Sequence, residues 1–256
     1  MDALTTKRIE RRFTRALQSY DREALVQQAI CRKAAAWLAP WLGERERFVS
    51  ALEIGCGTGG FTRYLQALLP DARWTLNDLS EPCACEAARR YAAPGTVVCA
   101  GDAEEIDWRG RFQLIASSSA VQWFTYPEQW IGKMARLQRE GDLLCFTTFL
   151  PGTFREIRTL TGRGLDYPEE AQWLTWLQPS YRPLLLRQET VKLRFASPWD
   201  VLKHLKETGV TATGNEFWTR RRLAAFDAAY REAFSEPDGS VVLTYKPVYF
   251  ILESIG

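Results

Sequence analysis

Val49-Ser50-Ala51-Leu52-Glu53-Ile54-Gly55-Cys56-Gly57-Thr58-Gly59-Gly60-Phe61 runs from a short apolar segment into a cluster of glycines, and a helix-like segment, Phe61 to Leu69, follows directly. That order predicts strand, tight turn and helix, the opening of a nucleotide-binding α/β unit. Glycine serves such a turn in two ways. It adopts backbone angles that a Cβ would block, and it lets a ligand come into van der Waals contact with the main chain. The start of the helix then offers unpaired N–H groups to polar or anionic ligand atoms.

The turn by itself fits two ligands. Gly55, Gly57 and Gly60 satisfy the dinucleotide pattern G-x-G-x-x-G. Gly55, Gly57 and Gly59, with Glu53 two residues ahead, satisfy E/D-x-G-x-G-x-G, the pattern of proteins that bind S-adenosylmethionine. Asp78 stands 18 residues beyond Gly60, at the distance from which a carboxylate holds two ribose hydroxyls, and either ligand would use it.

Beyond the turn the chain keeps an α/β rhythm. Strands are predicted at Trp74–Asn77, Gly95–Ala100, Phe112–Ser117, Leu143–Phe149 and Val248–Leu252, with helices over Glu81–Tyr91, Pro127–Gln138, Ser197–Thr208 and Arg220–Phe234. Short apolar runs alternating with amphipathic helices specify a parallel sheet covered on both faces. Residues 3–41 read as two helices ahead of the glycine turn, so residues 1–45 are expected to pack on the core or form a lid. Residues 48–150 form the cofactor-binding core. From Pro151 the rhythm is broken by Gly152, Gly162, Gly164, Pro168 and Pro179, which predicts an inserted cap over 151–183. Residues 184–256, including the alternating Thr190–Phe195, are expected to complete the sheet within a single domain.

The composition excludes several classes of function. The 256 residues carry a net charge of +2, which gives no global argument for nucleic-acid binding. The N-terminal MDALTTKRIERRF has no apolar segment of a signal peptide, and no run approaches the ~20 apolar residues of a membrane span, so a cytoplasmic location without membrane contact is expected. One histidine, His204, and six scattered cysteines give no metal-ligand spacing, so no metal is expected. His204 reads as a structural residue on a helix, and its being alone weakens any hydrolase triad.

Four motifs in order, Glu53-Ile54-Gly55-Cys56-Gly57-Thr58-Gly59, Asp78-Leu79-Ser80, Gly101-Asp102-Ala103-Glu104 and Phe112-Gln113-Leu114-Ile115, resemble those of class I S-adenosylmethionine-dependent methyltransferases across residues 48–150. The chain departs from that pattern at Gln113, where Asp is usual, and at Glu140-Gly141-Asp142, where P-G-G is commoner. A narrower resemblance spans nearly the whole chain. Phe13-x-x-Ala16-x-x-Ser19-Tyr20-Asp21, Ala120-Val121-Gln122-Trp123, Phe146-Thr147-Thr148-Phe149 with Glu156, Leu202 to Val210 and Leu243 to Tyr249 resemble the malonyl-acyl-carrier-protein O-methyltransferases, which begin pimeloyl synthesis for biotin.

The resemblance implies a Rossmann-like sheet with helices on both faces, an N-terminal helical lid and an inserted cap. It implies S-adenosylmethionine as cofactor, held by Glu53, Gly55, Cys56, Gly57, Gly59, Asp78, Leu79, Asp102, Ala103 and Ser117. Asp102 would take the adenine amino group and the next backbone N–H the ring. Tyr20, Gln122, Trp123 and Tyr245 fall to the catalytic pocket, with Tyr20 closing over the cofactor's methionine end. Arg182, Lys192, Arg194, Arg220, Arg221 and Arg222 are candidates to hold the malonyl carboxylate or an acidic carrier. The expected substrate is a malonyl thioester, on acyl-carrier protein or coenzyme A, and the expected state a monomer. A carboxylate is ionised at neutral pH and needs no general base. Ser117-Ser118-Ser119-Ala120, in place of an Asn/Asp-Pro-Pro-Tyr sequence, argues against methylation of nucleobase amino groups. Three other functions stay open: a methyltransferase for a free small molecule, a nicotinamide oxidoreductase using Gly55, Gly57, Gly60 and Asp78, and a non-catalytic binding partner.

Overall fold

Seven strands form the central sheet of the computed structural model, in the order β3-β2-β1-β4-β5-β9-β6. The described residues are 7, 9–11, 13, 14, 24–43, 48–209 and 219–256. β1 (Ser50–Ile54), β2 (Arg73–Asp78), β3 (Val97–Ala100), β4 (Leu114–Ser118) and β5 (Leu143–Phe149) run parallel. β9 (Pro247–Ser254) lies antiparallel between β5 and β6 (Tyr181–Gln188). All seven residues of β5 are buried, as a strand covered on both faces requires.

Helices cover both faces. α1 (Leu25–Leu38), α2 (Thr62–Leu68) and α3 (Glu81–Tyr91) bring Ile30, Leu38, Leu65 and Ala84 onto a core that includes Trp74. On the other face, α4 (Pro127–Ala135) packs Trp130, Ile131 and Met134 against a core where Phe146 of β5 stacks on Phe250 of β9 at 4.6 Å. In α3, Pro82 fits the first turn, Glu81 stands at its start and Arg89 and Arg90 at its end, each sign matching the helix dipole.

Both departures from the family pattern have local structural roles. The Gln113 side-chain oxygen accepts the Ser50 N–H at 2.9 Å and so ties the start of β4 to the start of β1. Gly141 has φ +82°, and the Asp142 carboxylate beside it accepts the Arg139 N–H at 2.7 Å and the Arg111 Nη2 and Nε N–H groups at 2.9 and 3.0 Å.

The chain beyond Pro151 differs from the sequence expectation. It holds two helices, α5 (Arg155–Thr161) and α6 (Glu170–Leu177). Trp173 of α6 is fully buried against Phe146 and Phe250, so this segment is in part a core layer. Residues 181–183 begin β6, the edge strand of the sheet, where Pro183 is tolerated because it sits at a register shift. The predicted strand at 190–195 does form, as β7 (Val191–Phe195), but it does not join the main sheet. It pairs with β8 (Val241–Tyr245) in a separate two-stranded sheet. α7 (Pro198–Glu207) and α8 (Arg220–Phe234) lie between those two strands in sequence. The expected start of α7 is present: the Ser197 hydroxyl accepts the Asp200 N–H, with Pro198 in the first turn.

Gly59 has φ +90°, and a Cβ there would lie 2.4 Å from Tyr91 Cδ2 and 3.3 Å from the Ala87 backbone. Gly59→Ala is therefore expected to lower the unfolding free energy by ~2 kcal/mol or more, from overpacking and backbone strain together. Gly60→Ala, with no atom within 4 Å of the new Cβ, should cost less than ~1 kcal/mol. Urea denaturation of the two variants checks the contrast.

Candidate active site

The strand order reverses between β1 and β4, and a cleft opens beyond the carboxyl ends of the strands there, the usual ligand position in open α/β sheets. Gly55 and Gly57 form its floor with φ +68° and +54°. A Cβ on Gly55 would lie 2.4 Å from the Ala120 Cβ, so this glycine allows the turn after β1 to pass the turn after β4. A Cβ on Gly57 would meet no protein atom within 4 Å. At this position the glycine leaves a cradle in the cleft that a side chain would fill.

The cleft's carboxylates are fixed by backbone. Asp78, at the end of β2, accepts the Gly57 N–H and the Ser80 N–H, each at 2.8 Å. Burial raises its pKa, and those two donors hold it down. Asn77 donates to the Cys99 and Gly101 carbonyls at 2.9 and 3.0 Å, which binds the end of β2 to the turn carrying Asp102. Asp102 accepts the Glu104 N–H at 3.0 Å. Glu104 in turn accepts the N–H groups of Thr125 and Tyr126, at 2.8 and 2.6 Å, and so joins this turn to the loop after β4. Behind the floor, Glu53 is buried with one carboxylate oxygen lacking a partner, and burial pushes its carboxyl up to about 8.

A second, inner chamber adjoins the cleft. Phe13, Ser119 and Trp123 line both spaces. The chamber is walled by Phe149 at the end of β5, Phe154 before α5, Tyr167 and Tyr245 at the end of β8. Its polar groups are neutral: Gln27, Ser119, Gln122, Thr208 and the tyrosine hydroxyls. Tyr245 hydrogen-bonds His204 Nε2 at 2.7 Å, which places the lone histidine behind the chamber wall. Phe13 meets Trp123 edge-on at 5.7 Å, and Thr14 bonds Ser80 at 2.8 Å, so these two residues lie against the cleft.

The structure brings Gly55, Gly57, Asp78, Leu79, Asp102 and Ala103 together in the cleft, and Gln122, Trp123 and Tyr245 around the chamber. Tyr20 lies outside the described residues. Glu53, Cys56, Gly59 and Ser117 do not line the cleft. Glu53 and Cys56 sit beneath the turn, and Gly59 serves the contact with α3. Ser117 is fully buried, whereas Ser118, the next residue of β4 and so on its opposite face, lines the cleft, as does Ser119, which lies beyond the strand end with φ +54°.

The basic candidates fall outside both spaces. Arg182 pairs with Glu253, which stands opposite Leu143 at the start of β5. That is the end of the sheet opposite the cleft, about 20 Å away at ~3.3 Å per residue. Arg194 pairs with Asp238 and Glu236, while Lys192 is on the exposed side of β7. Arg220, Arg221 and Arg222 form the exposed first turn of α8. Sequence reasoning missed Ile9, Phe13, Gly101, Glu104, Ser119 and Phe124 in the cleft. For Ser119 the signal was the Ser-Ser-Ser-Ala run itself, read only as the absence of another motif.

A family model described as "Methyltransferase domain" matches residues 51–141. The chain is 44% identical over 244 residues to the malonyl-[acyl-carrier protein] O-methyltransferase of Porphyromonas gingivalis, covering 94% of this chain and 93% of that protein. It is 40% identical over 254 residues to the protein of the same name from Haemophilus influenzae, covering 98% and 96%. Among solved structures, YcgJ from Bacillus subtilis has a TM-score of 0.64 at 11% identity, covering 88% of this chain and 99% of that one. Magnesium protoporphyrin IX methyltransferase from Synechocystis, with bound SAH, has a TM-score of 0.54 at 14% identity, covering 89% and 83%. These two likenesses are of fold.

Glu53 makes the stability of the molecule depend on pH. Its carboxyl titrates at about 8 when folded and near ~4.3 when unfolded, so between these values the folded state holds the extra proton. Its contribution therefore favours the folded state most at low pH and turns against it as pH rises toward 8. Glu53→Gln should gain stability relative to the parent between pH 6 and pH 9, by up to ~1.4 kcal/mol per pH unit below 8. Urea denaturation across that range measures it, and a difference independent of pH would show that Glu53 does not titrate there.

Proposed function

The chain belongs to the malonyl-[acyl-carrier protein] O-methyltransferase family, and on that premise we propose that it methylates the free carboxylate of a malonyl group carried on acyl-carrier protein, with S-adenosylmethionine as donor. The observation that carries this reading is the joining of two unlike spaces. A cleft with fixed carboxylates and a bare glycine floor meets a chamber whose described lining residues are aromatic or neutral. The first suits a nucleoside cofactor. The second suits a nucleophile that needs no base.

S-adenosylmethionine supplies a methyl group activated on a sulfonium. Asp78 keeps lone pairs beyond its two backbone bonds, and we assign it to the ribose hydroxyls. Asp102 and the Ala103 backbone are assigned to adenine, and the open space over Gly57 lets the cofactor lie against the main chain. The chamber's part is electrostatic. An uncharged, largely aromatic wall disfavours a carboxylate more than its neutral ester, so it favours a reaction in which anion and sulfonium become ester and thioether. Phe13 and Trp123 close the junction against water. Tyr20 and Gln122 remain assigned to the catalytic pocket. Tyr245 and His204 form a hydrogen-bonded pair in its wall, for which holding the tyrosine hydroxyl in place is sufficient explanation.

Carrier recognition is assigned to the exposed first turn of α8, where Arg220, Arg221 and Arg222 meet an acidic surface. Arg182, at the far end of the sheet, takes no part in this reading. The methyl ester would then enter pimeloyl synthesis for biotin. We further infer a monomer working in the cytoplasm. Among the described residues no helix is long and apolar enough to cross a membrane.

Two measurements test the assignment. Methyl transfer to malonyl-carrier protein, malonyl-CoA and free malonate is expected to favour the carrier, with kcat/KM ~10-fold or more above malonate, because the remote parts of the substrate add binding energy. A preference for malonate would overturn the carrier assignment. Asp78→Ala is expected to weaken S-adenosylhomocysteine binding ~10- to 100-fold through loss of charge-assisted hydrogen bonds. Isothermal titration calorimetry reads this directly, and unchanged affinity would remove Asp78 from the site.

A further inference from the structure

Resting on that reading, we propose that Ser119 binds the substrate carboxylate, its hydroxyl donating a hydrogen bond to the carboxylate oxygen that does not take the methyl group. Ser119 is one of two non-glycine residues with positive φ among the described residues, at +54°. A serine in the left-handed region costs ~1–3 kcal/mol, and such conformations persist only where the surroundings fix them. Here they do. The Ser119 N–H donates to the Thr147 carbonyl and to the Thr147 hydroxyl, each at 3.1 Å, and its carbonyl accepts Gln122 Nε2 at 2.6 Å.

The backbone is thus held on both sides while the side chain is left alone. Ser119 Oγ is buried and has no hydrogen-bond partner. Its neighbour shows the contrast: Ser118 Oγ bonds Thr147 Oγ1 at 3.0 Å. A buried hydroxyl without a partner costs a further ~1–3 kcal/mol. Turned about χ1 into the spaces that the residue lines, the hydroxyl gains a ligand oxygen and that cost is removed. The position is also the one the reaction requires, because Ser119 lines the cleft and the chamber at once. Of the other two residues shared by both spaces, Phe13 has no polar side-chain atom and Trp123 is stacked edge-on against it.

A hydroxyl suits this nucleophile chemically. It orients the anion and offsets part of its desolvation without the full charge pairing of an arginine, which would lower the reactivity of the attacking oxygen. In the transfer, a lone pair on the free carboxylate oxygen forms the new O–CH3 bond. The C–S bond breaks with its electrons going to sulfur, leaving a neutral ester and a neutral thioether. No proton moves, and Ser119 keeps its own throughout.

Two variants test the assignment. Ser119→Ala removes the hydroxyl and keeps the strain; Ser119→Gly removes both. Each is expected to lower kcat/KM for malonyl-carrier protein ~10- to 100-fold, the range for a hydrogen bond to a charged group. S-adenosylhomocysteine affinity should stay within twofold, and so should inhibition by the methyl-ester product, which lacks the anion. Ser119→Gly relieves the backbone, so its loss of activity cannot be ascribed to misfolding if its unfolding midpoint equals or exceeds that of the parent. Retention of kcat/KM within twofold in Ser119→Gly would overturn the proposal. An equal loss of affinity for malonyl substrate and methyl-ester product would overturn it too. A parent protein inert toward malonyl-carrier protein would instead refute the proposed function, so the two failures are told apart.

Discussion

Three glycines in one turn hold the site together, and each is glycine for a different reason. Gly55 lets the turn after β1 touch the turn after β4, where the Ala120 Cβ presses against it. Gly59 accepts the ring of Tyr91 from α3. Gly57 faces open cleft, and its N–H is the one that anchors Asp78. The close approach at Gly55 has a further consequence. It fixes where Ala120 stands, and the residue before it adopts the left-handed conformation that sets Ser119 between the cleft and the chamber. The cleft and the chamber are therefore positioned by one backbone contact.

Charge is distributed unevenly across that contact. The cleft side carries Asp78, Asp102 and Glu104, with Glu53 buried beneath, and most of their oxygens are committed to backbone N–H groups that brace neighbouring turns. The chamber side has no charged residue among its described lining residues. This division fits a reaction between an anion and a cation. On the proposed assignment, preorganised acids would hold the polar nucleoside part, while the reacting atoms would meet in a space that solvates ions poorly.

Legibility in the sequence followed the kind of constraint involved. The turn from Glu53 to Gly60, Asp78 and Asp102-Ala103 could be read because each is a local arrangement whose residue types are forced by backbone geometry or by position at a strand end. Gln122, Trp123 and Tyr245 were reached through resemblance, and the structure places all three around the chamber. What failed was anything set by packing between distant segments. Arg182 is a sequence candidate to hold the malonyl carboxylate or an acidic carrier, but β6 carries it to the end of the sheet away from the cleft, where it pairs with Glu253. β7 alternates as an edge strand should, and alternation does not say which strand it will join. Ser117 was one residue out of register, which is enough to turn a side chain from the cleft into the core.

The same distinction explains how the fold divides its work. The family model for a methyltransferase domain covers residues 51–141, the segment that builds the cofactor cleft. Of the chamber, that segment supplies Ser119, Gln122 and Trp123; Gln27, Phe149, Phe154, Leu165, Tyr167, Thr208 and Tyr245 all come from outside it. Several of these are held by contacts peculiar to the added segments. Phe154, the other non-glycine residue with positive φ, packs edge-on against Tyr245 at 4.7 Å. Glu156 clamps α5 to β8 by accepting the Thr244 N–H and hydroxyl at 3.1 and 2.5 Å. The β7–β8 sheet, which stands apart from the central one, is thus bound to the end of β5 through the chamber wall. On the proposed reading, a change of acceptor would fall mainly on those added segments. Ser119, Gln122 and Trp123 are the exceptions. They belong to the segment that the family model matches, and of the three Ser119 is the one we propose to meet the substrate carboxylate.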